Sequence, residues 1–178
     1  KADISLESQK DGQFTRPEFE PLINLGPKCG LDNIDDIVRL DNLCSRLGLD
    51  STSTSGAIAF AMDLFEHGKL PTRFTQDLDL SWGNARSMEI LIHQMVENKG
   101  LGRLLRLGVR EAARQLGPEA QVHAVHVKGL ELTAYHPAAI MGTALGYAVS
   151  SRGGDYNNVY ASLEYSWTQE EAKKEFGT

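Results

Sequence analysis

From Asp32 onward, Ile34, Ile37, Val38, Leu40, Leu43, Cys44 and Leu47 recur largely at steps of three and four, the spacing of one helix face. Asp32 is placed as the N-cap of this helix, and Gly48 as the residue that ends it in a left-handed turn. A second helix follows with Ile58, Ala61, Met62 and Phe65 on its stripe, stopping near Gly68 before Pro71; the hydroxyls from Ser51 to Ser55 supply candidate caps. Asn84 is placed to cap a third helix, striped by Met88, Leu91, Ile92, Met95 and Val96 and broken at Gly100. Leu101, Leu104, Leu105, Val109, Ala112, Ala113 and Leu116 then predict a single fourth helix closed by Gly117-Pro118. Alternation from Val122 to Val127 predicts a short strand, and Ala138 to Val149 a fifth helix rich in small residues. Residues 1–16 are polar and without period, and read as an extended arm or linker. The expected fold is all-α, an irregular multi-helix domain with at most short strands.

Composition narrows the function classes. A chain of 178 residues that is 41% hydrophobic and 24% charged can bury one real core. Its net charge of −6 lacks the concentrated basic face that nucleic acid or an anionic membrane surface demands. No apolar run is long enough for a transmembrane helix, and the start lacks the charged-then-apolar order of a signal peptide. Cys29 and Cys44 fit a reducing, cytoplasmic setting better than a disulfide framework. A chain beginning at Lys1 rather than methionine reads as a piece of a longer protein.

The break from Leu43 to Asp50 carries the strongest chemical signal. Leu49 is expected to fold back on the finished helix, leaving Asp50 beside the N-terminus of the next one. With the Ser/Thr run able to cap that helix, the carboxylate is free to accept paired hydrogen bonds from an amide N–H and an adjacent amino group, the pattern on the pyrimidine edge of a pterin or guanine. An ordinary helical hairpin with a redundant cap fits the same spacing. Glu18 and Glu20 flank Phe19, so an extended backbone there aligns both carboxylates, as a proton-transferring pair or a solvated face. His123 and His126, on a strand, point to opposite faces, so no metal ligands are expected from this chain. Arg152-Gly153-Gly154-Asp155 reads as a phosphate-contacting turn or a flexible corner, and Cys29, in Gly26-Pro27-Lys28-Cys29-Gly30, as a buried small hydrophobe.

The order of these segments resembles the tungsten-containing aldehyde ferredoxin oxidoreductase family. The likeness runs from Pro17-Glu18-Phe19-Glu20 through Asn24 to Gly30, Leu43 to Met62 and Trp82-Gly83-Asn84. It resumes in His126 to Leu132, Ala134-Tyr135, Leu145 to Ala148 and Ser151 to Gly154. The resemblance implies an enzyme that oxidises aldehydes to carboxylic acids with ferredoxin as electron acceptor, using tungsten (or molybdenum) held by two pterins and a 4Fe-4S cluster. By position, the family's Asp-x-x-Gly-Leu-Asp pterin motif falls on Ser45 to Asp50, which makes Ser45, Leu49 and Asp50 cofactor contacts. Arg152 and Gly153 align with a second cofactor-contacting turn, Glu20 with a glutamate near the metal, and Tyr156 with a histidine near tungsten.

The departures reshape that implication. Ser45 replaces an aspartate of the motif, Tyr156 brings a phenol in place of an imidazole, and His136 and Ala138 stand where the family usually has aspartate and often arginine. The Cys-x-x-Cys-x-x-x-Cys run that holds the cluster and the second pterin motif do not occur in this chain. The resemblance therefore implies a central fragment of a larger enzyme: an arm at 1–16, a first helical domain at 17–118 and the opening of a second at 119–178. Such a fragment alone is expected to bind no cofactor. Two other readings stand beside it: a tungstopterin relative such as a benzoyl-CoA reductase-type subunit, and a cofactor-free helical interaction domain. A homodimer of the full-length protein stays open.

Overall fold

The computed structural model describes residues 17–75, 77–133, 135–155, 157 and 166–177, and the expected arm at 1–16 lies outside them. Helix α1 (Phe19–Leu25) replaces the extended segment expected around Glu18 and Glu20: Glu18 stands at its N-cap and Glu20 in its first turn, so the two carboxylates do not share an extended face. A single 3-10 turn, Pro27–Cys29, follows and buries Cys29. Helix α2 (Ile34–Leu47) forms where its stripe predicts, but Asn33 caps it rather than Asp32, its side chain accepting from the Asp36 N–H.

Helix α3 (Ser51–Glu66) is the central post of the molecule. Thr54 to Ile58, Phe60 to Met62 and Leu64 are all buried, so it is covered on nearly every side. Helices α1 and α2 pack on it, as do α4 (Ala85–Glu97), α5 (Gly102–Leu105) and α6 (Val109–Leu116). Leu25, Leu40, Ile58, Met62, Leu91, Ile92 and Leu105 fill the space between them. Asn84 caps α4 as expected, its Oδ1 accepting from the Ser87 N–H at 3.1 Å. The predicted fourth helix is two: its apolar stripe continues, but the chain turns at Gly108, whose φ of +81° is outside the helical region.

Past Gly117 comes the short helix α7 (Pro118–Gln121). Of the strand expected at Val122 to Val127 only its last two residues form one, since Val122 and His123 lie in the turn that ends α7 and Val122 is 86% exposed. Strand pairing is confined to β1 (His126–Val127) and β2 (Leu130–Glu131), antiparallel with His126 opposite Glu131. Lys128 and Gly129 both have positive φ, the geometry of a tight two-residue hairpin turn. Helix α8 (Met141–Val149) follows, then α9 (Gln169–Phe176), which opens with a reciprocal capping box between Thr168 and Glu171. With nine α-helices and one two-stranded ribbon among the described residues, the all-α expectation holds. Among the same residues, no helix is long and apolar enough to cross a membrane.

Candidate functional site

The break between α2 and α3 is built by its own sequence. Gly48, at φ +71°, closes α2 as a left-handed cap; its N–H donates to the Ser45 carbonyl at 3.3 Å, and the Leu49 N–H to Cys44 at 2.9 Å. Asp50 then caps α3, with Oδ2 accepting from the Ser53 N–H at 2.6 Å. The redundancy expected of this carboxylate is corrected here: Ser51 to Ser55 lie inside the helix, so none of them holds the cap position. Oδ1 of Asp50 accepts nothing from the described residues, and Asp50 is exposed.

A second segment is brought to Asp50 by the β-hairpin. Lys128 Nζ donates to the carbonyls of Ala148 and Ser150, pinning the end of α8. The turn that follows lies against the hairpin backbone: a Cβ on Gly153 would fall 2.3 Å from the Val127 carbonyl oxygen, and one on Gly154 2.6 Å from that of Leu130. Gly153 also holds φ +87°, so only glycine enters this turn without strain. Arg152 projects from it, 64% exposed, with Nη1 2.8 Å from Asp155 Oδ2. Asp50, Thr52, Ser53, Glu131, Thr133, Arg152 and Asn157 are among the walls of one cleft of about 350 Å³. This arrangement offers a carboxylate acceptor, a guanidinium and hydroxyl and amide groups, a set matched to a flat polar ring carrying an anionic side arm.

Leu49 and Asp50 also line a second cleft of about 340 Å³ towards α4 and α5. Ser45 is exposed on the last turn of α2 and lines neither cleft. Glu20 is half-buried on α1; its carbonyl accepts from Asn24 Nδ2, and Ile23, one turn on, lines a larger cleft of about 590 Å³. Tyr156 lies outside the described residues.

That larger cleft holds Lys28, Trp82, Glu131 and His136, and shares Glu131 and Thr133 with the Asp50 cleft. Lys28 Nζ donates to the Leu132 carbonyl at 2.7 Å and to Asn24 Oδ1 at 3.1 Å. Burial pushes the Lys28 ammonium below its ordinary pKa, opposed by the charges of Cys29, Glu131 and Asp50. Glu131 is only 4% exposed, and its Oε1 accepts from the Val109 N–H at 2.6 Å, supplying the start of α6 with the cap that Gly108 lacks. Burial pushes the thiols of Cys29 and Cys44 up to about 12, with Asp41 and Asp50 adding to the effect at Cys44. At one end of this cleft, His123, Asp63 and His67 converge, a grouping with no signal in local spacing because His123 comes from the turn after α7.

Comparison with known proteins fits this frame. The family model described as aldehyde ferredoxin oxidoreductase, domains 2 and 3, matches residues 2–177. A tungsten-containing aldehyde ferredoxin oxidoreductase of Pyrococcus furiosus is 35% identical over 80% of the chain and 24% of its own length. The Thermococcus kodakarensis protein of the same description is 36% identical over 78% of the chain and 23% of its own. The aliphatic sulfonate oxidoreductase WOR-like subunit of P. furiosus is 31% identical over 86% of the chain and 26% of its own. The chain thus spans about a quarter of the length of these relatives. In fold, it resembles the active-site complex BamBC of benzoyl coenzyme A reductase with 1,5-dienoyl-CoA, at a TM-score of 0.62 and 24% identity over 74% of the chain and 19% of that one. This chain belongs to the aldehyde ferredoxin oxidoreductase family, a family of oxidoreductases, and matches it within the region described as domains 2 and 3.

Proposed function

We propose that the chain is the pterin-gripping helical part of a cytoplasmic tungstopterin oxidoreductase that converts aldehydes to carboxylic acids and passes electrons to ferredoxin. The observation that supports this reading is the meeting of Asp50 and Arg152, far apart in sequence, on one cleft of a chain whose relatives are described as tungsten-containing. The donor set fits one cofactor edge. Oδ1 of Asp50 would accept from the ring N–H and amino group of a pterin and Arg152 would donate to its anionic side arm, while Leu49, on the neighbouring cleft that also reaches Asp50, would offer an apolar contact beside it. When bound, the tungsten or molybdenum bis-pterin supplies the two-electron chemistry. Glu20 takes the proton released as substrate oxygen is engaged, and the Tyr156 phenol donates a hydrogen bond in place of the family's imidazole. Gly153 acts through the backbone by seating the Arg152 turn on Val127.

A 4Fe-4S cluster does not fit this chain's residues. Cluster iron is held by cysteine thiolates, and both cysteines here are fully buried thiols raised to about 12. In this reading the cluster ligands belong to flanking sequence, as does the second pterin motif, and residues 119–178 open a second helical domain. Elemental and pterin analysis of the full-length protein tests the proposal: tungsten or molybdenum with two pterins per chain is expected, and a metal-free, pterin-free protein overturns it. In active enzyme, Glu20→Gln is expected to lower kcat by roughly a hundredfold or more with metal content intact. Unchanged turnover removes Glu20 from the reaction.

A further inference from the structure

We propose that Asp63, His67 and His123 form a binding site for a divalent transition metal of the zinc class at the rim of the larger cleft. One candidate ligand atom from each residue lies within 4.8 Å of the others. Helix α3 supplies Asp63, and His67 follows at its C-cap, four positions on and so over the same face. The turn after α7 brings His123 in from the other side.

The carboxylate already stands between two imidazoles. Its Oδ2 is 2.6 Å from His123 Nδ1, and its Oδ1 is 3.2 Å from His67 Nδ1, while the two rings sit 4.9 Å apart at 51° to each other. Neither oxygen is paired with a lysine or arginine among the described residues; the neighbouring Lys69 is paired instead with Glu119. Zinc held tetrahedrally by nitrogen and oxygen at about 2.0–2.2 Å spaces its ligand atoms by about 3.4 Å. The observed separations bracket that spacing, and an ion seated there would replace the 2.9 Å contact that His67 Nδ1 makes with the Asp63 carbonyl. Imidazole and carboxylate are the ligand types that borderline divalent ions favour.

Three protein ligands leave a tetrahedral ion one further position. Asp63 and His123 both line the 590 Å³ cleft, so that position is available to water or to an oxygen of a molecule bound there. His67 is 52% exposed and gives the ion a route from solvent. This inference stands on Asp63, His67 and His123 alone and is independent of any pterin at Asp50.

Equilibrium dialysis of the full-length protein against radioactive zinc chloride, with excess magnesium to suppress weak sites, tests it without interference from other bound metals. One equivalent is expected per chain beyond any taken up by the His67→Ala, His123→Gln double variant. His67→Ala alone, at an exposed position that leaves the core untouched, is expected to weaken that equivalent by more than about tenfold, since loss of even an outer partner costs that much. Zinc is also expected to raise the melting temperature of the parent protein and not that of His67→Ala. Equal uptake by parent and variants, or no uptake by a folded parent, overturns the proposal and leaves the cluster as a hydrogen-bonded clasp between α3 and the α7 turn.

Discussion

Two carboxylates start helices in this molecule under opposite conditions. Asp50 caps α3 from the adjoining residue, exposed, with one oxygen engaged and the other open to a cleft. Glu131 caps α6 from the far strand of the hairpin, buried, beside Lys28 in a wall that two clefts share. The contrast teaches how a cap's surroundings decide its second role. A local cap in water can hold its helix and still offer hydrogen bonds to a ligand, whereas a remote cap in the interior is fixed by the fold it completes.

Variants can break this contrast. Glu131→Ala carries the largest expected effect, a loss of about 3 kcal/mol, because it strips a charged acceptor from the buried Val109 N–H and removes one of the negative charges that favour the buried Lys28 ammonium. Denaturant unfolding measures it, and a loss within the scatter of surface variants would place Glu131 with Asp50 rather than against it. Gly56→Ala is expected to cost about 2 kcal/mol by the same measurement, since the new Cβ would lie 2.8 Å from Glu131 Cβ and push the strand off α3. Asp50→Ala removes only a solvated cap, for about 1 kcal/mol. Asp50→Asn keeps the cap and is expected to leave stability nearly unchanged while reducing the pterin retained by full-length protein; retained pterin would show that the open oxygen serves no ligand. The smallest effect is electrostatic. Asp50→Asn should bring the Cys44 thiol modestly down from about 12 and leave Cys29, on which Asp50 has no such influence, where it is; ultraviolet titration of the thiolates reads both.

The same contrast explains what the sequence made legible. Helices α2 and α4 follow from their stripes, and the Gly48 turn from its chemistry, because each is specified within a few neighbouring residues. Asp50 stands out in the sequence as a candidate acceptor because the hydroxyls after it look able to cap α3, but those hydroxyls sit within the helix and Asp50 itself is the cap. Glu131 had no such visibility, since its acceptor role exists only once the hairpin has folded onto α6. Helix α1 is too short for periodicity to declare, and the split at Gly108 was masked by apolar residues that keep helical spacing across it. The Thr168 and Glu171 capping box was a readable signal for α9 that the apolar stripes overshadowed. Asp63 and His67 sit at a spacing that hints at a shared face, but the third member of their cluster is a product of tertiary folding alone.

Glu131 and Thr133 form a partition with a chamber on either side. A partition whose carboxylate is also bolted to the first turn of a helix cannot swing to enlarge one chamber at the expense of the other without freeing that helix end. Any molecule entering either chamber would therefore meet fixed dimensions, as a gauge presents them, set by the size of the side chains facing inward rather than by movement of the backbone.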